Sequence, residues 1–209
     1  MTSPDNVVTR ADACWGRACL AYNLQARLPA AVAETFVCAQ QRLLADSSVS
    51  LNAVPASALH VSVYALVPFS WPDAEKEPFW RAVAPRVLER LPELTQACAS
   101  VELEFAKLRV FPAAVVAIAR DRSDTIRSLR ARLARICRHP TLPAPSYDTI
   151  HCTLARFAED AIVSARERRT IEGQWHSSST RLSALALVRE RRYPSLEVEE
   201  LVSATFSNG

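Results

Sequence analysis

The order of strand and helix patterns in this 209-residue chain predicts an α+β fold with mainly antiparallel sheets. Helical and strand-like segments alternate, but two pairs of strand-like segments follow one another directly, as in hairpins. A His-x-Ser/Thr tripeptide occurs on one predicted strand in each half, which indicates two similar lobes. No stretch of linker composition separates the halves. We therefore predict one bilobal, pseudo-two-fold domain over residues 1–209, with two sheets lining a central cleft and helices outside.

The first half of the chain contains two predicted strands and two predicted helices. Alternating and β-branched residues predict strands over 17–24 and 58–67. Apolar residues at helical spacing predict helices over 30–45 and within 76–91. Pro85 lies inside the second helical pattern and is expected to start or kink that helix.

The second half of the chain contains more strands than the first. Strands are predicted over 100–110, 114–119, 148–156, 181–190 and 196–205. Helices are predicted over 123–138 and near 159–172. We interpret the charge-rich face of the first of these helices as solvated rather than as an RNA-binding stripe; it carries Arg127, Arg130, Arg132, Arg135 and Arg138.

The composition of the chain excludes several classes of protein. Hydrophobic residues make up 49% of the sequence, which excludes a mostly disordered chain. A net charge of +3 provides no global field of the kind that general nucleic-acid binders carry. Only three glycines are present, and neither GxGxxG nor GxxxxGK occurs, so glycine-rich phosphate loops are excluded.

The cysteines and the N-terminal residues indicate where the protein works. Six cysteines are present without any CxxC pair, so a zinc ribbon is not expected. Residues 1–15 lack an apolar run, so we predict a loose N-terminal segment rather than a signal peptide. No apolar stretch reaches membrane-spanning length. We expect reduced thiols, a cytoplasmic location, no membrane association, no cofactor and a monomer.

Two tripeptides carry the chemistry that the sequence suggests: His60-Val61-Ser62 and His151-Cys152-Thr153. Because side chains alternate across a strand, each histidine shares a face with the hydroxyl two residues later. Two imidazoles on opposite sides of one phosphorus supply a base for water and an acid for the leaving oxygen. The hydroxyls of Ser62 and Thr153 can donate to the non-bridging phosphate oxygens.

A single HxS or HxT tripeptide is weak evidence, because a buried structural histidine is the commoner explanation. Two copies on predicted strands, using two of only four histidines, make the functional interpretation the stronger one. A zinc site built from these histidines and a cysteine lacks ligand spacing and a carboxylate, so no metal is expected.

Four further side chains are candidates for substrate contact. Strict alternation places Tyr64 on the His60 face and Phe157 on the His151 face. Trp71 lies in a proline-bounded loop after the first motif strand, where it could form the rim of the cleft and stack on a base. Arg156 alternates to the opposite face, and only a bend in the strand would bring it into the cleft.

The paired motifs resemble those of the two-histidine (2H) phosphoesterase superfamily, most closely its branch of bacterial RNA 2′,3′-cyclic phosphodiesterases. The likeness covers most of residues 17–205 and is carried by 59–63, 109–112, 115–118, 150–156, 192–193 and 196–198. This chain departs from the branch at Ser62, where threonine is commoner, and at Ile150, where proline is usual. The segment Pro68–Pro72 also replaces the usual glycine-containing turn.

The resemblance implies a bilobal 2H fold and a metal-independent enzyme that hydrolyses a 2′,3′-cyclic phosphate on an RNA end or nucleotide to a 2′-phosphate. The superfamily also contains members that act on 2′–5′ linkages or other nucleotide phosphodiesters, so these remain alternative substrates. Two other functions also remain. The cleft could bind a nucleotide without turnover, or the chain could be a protein-interaction domain that uses the arginine-rich helix, which would require the two histidines to lie far apart.

Overall fold

The computed structural model describes residues 6–98 and 100–207 and divides this part of the chain into eleven strands and four helices. In chain order these are β1 (Val7–Val8), β2 (Ala18–Arg27), α1 (Ala30–Asp46), β3 (Leu51–Ala53), β4 (His60–Val67), α2 (Asp73–Gln96), β5 (Val101–Phe111), β6 (Ala114–Asp121), α3 (Thr125–Ile136), β7 (Ile150–Phe157), β8 (Ile162–Val163), α4 (Ala165–Gly173), β9 (Ser178–Leu182), β10 (Ala184–Arg192) and β11 (Glu197–Thr205). The α+β class is confirmed.

The large antiparallel sheet consists of two four-stranded lobes. The first lobe has the order β11-β10-β2-β4, and the second has the order β7-β6-β5-β9, with β3 added along β7. The lobes meet at one residue pair, Val61 of β4 opposite Cys152 of β7. The two predicted sheets are therefore joined into one nine-stranded sheet at the middle residue of each motif, and they diverge from that point to open a cleft.

The helices cross between the two halves of the chain. Helix α1 follows β2 in sequence but packs against β3, β7 and β9 of the second lobe, and α4 packs beside it on β5. Helix α3 follows β6 but packs on β4 of the first lobe, where α2 also lies. Helix α1 of the first half thus packs on the second lobe, α3 of the second half packs on β4, and one continuous core joins the two lobes.

Helix α2 is longer than the predicted 76–91 and contains three prolines, including Pro85. It begins at Asp73, so Pro85 does not start it. Four apolar side chains at helical spacing, Phe79, Val83, Val87 and Leu91, are buried along one face. Their burial offsets the missing backbone donors of the prolines.

The predicted strand 181–190 is two strands. Strand β9 pairs with β5 in the second lobe, whereas β10 pairs with β2 in the first. The chain crosses between lobes at Ser183, which a local hydrophobic pattern does not reveal. The short strands β1, β3 and β8 were not predicted, since two or three residues carry too little periodicity.

The expectation of a loose N-terminal segment is wrong for residues 6–15; residues 1–5 lie outside the described part of the chain. Strand β1 pairs with β8, and Thr9, which is 1% exposed, exchanges hydrogen bonds with Ala161. The backbone of Asp12 donates to the carbonyl of Phe157 at 2.9 Å. Backbone pairing holds this polar segment, so its composition did not predict its order.

Candidate active site

A cleft of about 340 Å³ lies where the two motif strands diverge. His60 and Ser62 line it from β4, and His151 and Thr153 line it from β7. The middle residues of the motifs, Val61 and Cys152, are fully buried on the opposite face. The four side chains of the two motifs are therefore brought together as the alternation predicted.

Each motif strand contains a β-bulge three residues after its histidine. In the pairing of β4 with β2, Ser62 and Tyr64 face consecutive residues, so Val63 is skipped. In the pairing of β7 with β6, Thr153 and Ala155 face consecutive residues, so Leu154 is skipped. A bulge inserts one residue and reverses the alternation of the side chains that follow it, in β4 as far as a second register shift at Leu66.

The predictions for Tyr64 and Phe157 are wrong for this reason. After the bulge in β4, the side chain of Tyr64 turns away from the cleft, and its ring centroid lies 5.7 Å from that of Tyr147. After the bulge in β7, Phe157 is fully buried in the core. Neither side chain lines the cleft.

The same bulges turn two other side chains into the cleft, Ala65 from β4 and Arg156 from β7. The bend that would bring Arg156 round is thus present. Its guanidinium pairs with the carboxylate of Asp12 at 3.1 Å and lies 5.2 Å from the ring centroid of Tyr193. The cleft therefore has a cation on one side of the pseudo-two-fold and a methyl group on the other.

Trp71 does not form the rim of the cleft, contrary to the prediction. It is 6% exposed and packs edge-on against Phe79 and His139. Phe69, from the same loop, lines the cleft instead, and its ring centroid lies 4.4 Å from that of Tyr193. Trp71 anchors the loop to α2 through its contact with Phe79, and the ring of Phe69 faces the cleft.

The surroundings of each imidazole orient one ring nitrogen. The Nδ1 of His60 lies 2.8 Å from the carbonyl oxygen of Ala58, which can only accept, so Nδ1 carries the proton. The Nε2 of His60 lies 3.2 Å from the hydroxyl of Ser62. The Nδ1 of His151 lies 3.2 Å from the hydroxyl of Thr149. In both rings, Nδ1 therefore contacts a group outside the motifs, and this contact fixes the orientation of the ring.

Burial is the main cause that lowers the pKa of both histidines below the ordinary value. For His60, the hydrogen bond to Ala58 opposes the effect of burial on the pKa, and the charges of Arg156 and Arg27 reinforce it. The pKa of His151 is lowered by burial, then by Arg130, Arg156 and His60. Both imidazoles are therefore neutral near pH 7, and the effect of His60 on the pKa of His151 reflects the closeness of the two rings.

Sequence reasoning missed a polar cluster on the first-lobe wall of the cleft. Glu190 is 4% exposed, and its carboxylate accepts from the side chain of Asn23 and from the backbone N–H of Ser195, each at 2.7 Å. Burial raises the pKa of Glu190, while these hydrogen bonds and Arg156 lower it. No signal could have found it, because Glu190 lies within a run of charged residues typical of an exposed strand end.

The described residues contain neither a metal-binding cluster nor a membrane-spanning helix. No group of three His, Cys, Asp or Glu side chains in residues 6–98 and 100–207 is arranged to hold a metal ion. Within the same part of the chain, no helix combines the length and the hydropathy that crossing a bilayer requires.

Solved structures share this fold at low sequence identity. The protein TT0787 of Thermus thermophilus matches with a TM-score of 0.62 and 18% identity, over 90% of this chain and 98% of that chain. E. coli LigT complexed with ATP matches with a TM-score of 0.54 and 16% identity, over 91% and 99%. Apo E. coli LigT gives a TM-score of 0.52 and 14% identity, over 92% and 100%. No curated protein matches the sequence significantly.

A family model provides the assignment that structural likeness at these identities cannot. The model of the 2′-5′ RNA ligase superfamily matches residues 29–194, which contain both motifs, both bulges and the cleft wall of β10. This match covers most of the chain, and the bilobal fold and the position of both histidines in one cleft agree with it. The chain therefore belongs to the 2′-5′ RNA ligase superfamily, the two-histidine phosphoesterases.

Proposed function

We propose that this protein is a metal-independent phosphodiesterase in which His60 and His151 act as the acid–base pair. One observation carries the proposal: both imidazoles and both motif hydroxyls line a single cleft. This arrangement removes the condition for the interaction-domain alternative, which required the two histidines to lie far apart. The proposed substrate is a 2′,3′-cyclic phosphate on an RNA end or a nucleotide, and the proposed product is a 2′-phosphate.

The proposed reaction needs one proton on the histidine pair. One imidazole accepts a proton from water while the water oxygen forms a bond to phosphorus. The bond between phosphorus and O3′ breaks, and the other imidazole donates its proton to O3′. The products are a 2′-phosphomonoester and a free 3′-hydroxyl, and the two histidines exchange protons with solvent to restore the starting state.

Three further side chains are proposed to stabilise the phosphate during this reaction. Ser62 and Thr153 stand two residues after the histidines and donate to non-bridging oxygens. Arg156 supplies a positive charge and remains oriented by its ion pair with Asp12. E. coli LigT has been solved with ATP, NADP+, 3′-AMP and phosphate, and these complexes support a phosphate-bearing nucleotide as ligand here.

The first test is turnover by the wild-type protein in the presence of EDTA. The screen should include 2′,3′-cyclic mononucleotides, RNA with cyclic-phosphate ends and 2′–5′ oligonucleotides. Hydrolysis of a cyclic phosphate to a 2′-phosphate is expected, with no loss of rate on chelation. Binding of these compounds without any turnover would favour the nucleotide-binding module, and loss of activity with EDTA would contradict a metal-independent reaction.

The second test removes each imidazole separately. We expect His60→Ala and His151→Ala each to lower kcat by at least about 100-fold, because general acid–base catalysis contributes on that order. His176→Ala is the matched control, since His176 is exposed outside the cleft, and it should keep wild-type activity. Circular dichroism checks that all three variants fold, and near-wild-type kcat in either cleft variant would refute the proposal.

A 2′–5′ phosphodiester is the second candidate substrate, and the description of the family favours it. The same acid–base chemistry applies, but a nucleoside then leaves in place of a ring oxygen. The product analysis in the screen separates the two, because only a 2′–5′ linkage releases a shorter oligonucleotide.

The six unpaired cysteines support our expectation that the protein works in the reducing cytoplasm.

A further inference from the structure

Strand β4 loses its partner on the cleft side immediately after the first motif. It pairs with β7 only at Val61, so the backbone groups that follow have no ladder on that side. The carbonyls of Ser62 and Val63 accept instead from the guanidinium of Arg130, at 3.2 and 3.0 Å. The N–H of Ala65 donates to the hydroxyl of Tyr147. Two side chains thus replace a missing strand along the bulge.

Arg130 also reaches the chain that leads into the second motif. Its Nη2 donates to the carbonyl of Thr149 at 3.3 Å. Thr149 precedes His151 by two residues and places its own hydroxyl 3.2 Å from the Nδ1 of that histidine. The guanidinium stacks over the ring of Tyr147, with the central carbon 4.3 Å from the ring centroid. Arg130 is therefore half-buried, and its predicted place on a solvated face is wrong.

Gln40 occupies the corresponding position beneath the second motif. Its Nε2 donates at 2.7 Å to the carbonyl of Leu154, the bulge residue of β7. The same nitrogen donates at 2.7 Å to the carbonyl of Val54, on the chain that leads into β4 through the 3-10 turn Ala56–Ala58. That turn ends at Ala58, whose carbonyl accepts from His60. Gln40 is 4% exposed.

The two arrangements follow the same rule. A polar side chain from a helix of the opposite half binds the bulge carbonyl of one motif strand and a carbonyl on the approach to the other motif. Arg130 of α3 does this for β4 and the approach to β7, and Gln40 of α1 does it for β7 and the approach to β4. Both groups donate to carbonyls, a task that guanidinium and amide N–H groups can perform.

We propose that Arg130 and Gln40 are paired positioning residues that set the separation and orientation of His60 and His151. This inference rests on the proposed function, in which the two imidazoles act on one phosphorus. The continuous core joins the two lobes, but their strands pair directly at a single residue pair. At the motifs themselves, the crossed hydrogen bonds of Arg130 and Gln40 therefore hold the two strands beside the cleft. A displacement of about 1 Å in a catalytic group costs on the order of 100-fold in rate.

Arg130 and Gln40 differ in charge. Substitutions at the two positions therefore separate the effect of imidazole position from the effect of a nearby positive charge. Arg130 lowers the pKa of His151, which also faces the charges of Arg156 on its own strand and of His60 on β4. Gln40 is neutral. Loss of Arg130 therefore removes both a hydrogen-bonding fork and a positive charge, whereas loss of Gln40 removes only hydrogen bonds.

The experiment compares Arg130→Lys, Arg130→Met and Gln40→Met with wild type. We expect each to lower kcat by roughly 10- to 100-fold with KM changed less than about threefold, because phosphate contacts remain while the imidazoles shift. Arg130→Met should also move the maximum of kcat/KM to higher pH, since the pKa of His151 rises when the charge is lost and the maximum lies between the two pKa values of the coupled pair. Arg130→Lys and Gln40→Met keep the charge near His151 and should leave that maximum in place.

Arg127→Met is the matched control, because Arg127 lies on the same helix, is exposed, and within residues 6–98 and 100–207 forms an ion pair only with Asp124. Thermal unfolding checks that each variant folds. If a methionine variant does not fold, Arg130→Lys still tests the proposal. Wild-type kcat in folded Arg130→Lys and folded Gln40→Met would overturn the proposal. NMR titration of the His151 ring in Arg130→Met reads the charge effect without turnover, so failure of the proposed activity remains a separate outcome.

Discussion

The two cleft histidines combine neutral rings with fixed orientation. Ala58 binds the Nδ1 of His60, and Thr149 lies against the Nδ1 of His151. Both rings have a lowered pKa, and burial is the first cause in each case. A neutral ring with a fixed orientation can accept a proton from water. A phosphodiester anion bound between the two rings favours the protonated form of one of them, because its negative charge raises the pKa of that imidazole.

The pH dependence of kcat/KM follows from these directions. In the proposed mechanism, the active free enzyme carries one proton more than two neutral imidazoles, and the fraction of this form peaks between the two macroscopic pKa values of the pair. Because both are lowered from the ordinary histidine pKa of about 6.5, we predict a maximum of kcat/KM below about pH 6.5. Initial rates at low substrate across the pH range measure it. A maximum at or above about pH 7.5, a full unit higher, with the fold intact by circular dichroism, would contradict the lowered pKa values.

At the scale of elements, the β-bulge decides which side chains line the cleft. Val63 and Leu154 stand at equivalent positions in the two motif strands, and each reverses the alternation beyond it. Ala65 and Arg156 take the places that strict alternation assigns to their neighbours. Bulges next to active sites commonly re-aim side chains in this way.

A substitution at Tyr64 tests the direction of the strand after the bulge. Its hydroxyl is buried and has no hydrogen-bond partner among the described protein groups. We therefore predict that Tyr64→Phe leaves kcat and KM within about twofold and changes the free energy of unfolding by less than about 1 kcal/mol. Enzyme kinetics and urea unfolding provide the measurements. A loss of activity of about tenfold or more would place Tyr64 at the substrate, as strict alternation predicts.

At the scale of the whole molecule, crossed packing ties the two lobes together. Helix α1 of the first half packs on the second lobe, α3 of the second half packs on β4 of the first lobe, and β9 and β10 belong to different lobes although they follow one another. The N-terminal segment adds a further link, because Asp12 holds Arg156 in the cleft. Neither lobe can separate without exposing buried core on both sides.

This interlocking predicts cooperative unfolding. Thermal denaturation should show one transition, with far-UV circular dichroism and tryptophan fluorescence coincident and the calorimetric and van't Hoff enthalpies equal. The tryptophans report on both lobes, since Trp71 packs with Phe79 of α2 and Trp175 packs on Phe36 of α1. Two transitions seen separately by fluorescence and circular dichroism would show that the lobes fold independently.

The sequence by itself determined the fold class, most of the longer elements and the four motif side chains of the cleft. These follow from short-range periodicity, because side chains two residues apart on a strand share a face. His60 with Ser62, and His151 with Thr153, stand before the bulges and obey that rule. The presence of two imidazoles in one cleft could therefore be inferred from residue types and spacing.

Only the tertiary structure decided which residues surround that pair. A bulge is a register shift between partner strands, and neither Val63 nor Leu154 differs in type from an ordinary strand residue. Asp12, Glu190 and Gln40 act on residues far away in sequence, through contacts that exist only after the lobes pack. Local patterns predict which face a side chain occupies, whereas the partners across a cleft depend on how distant segments of the chain pair and pack.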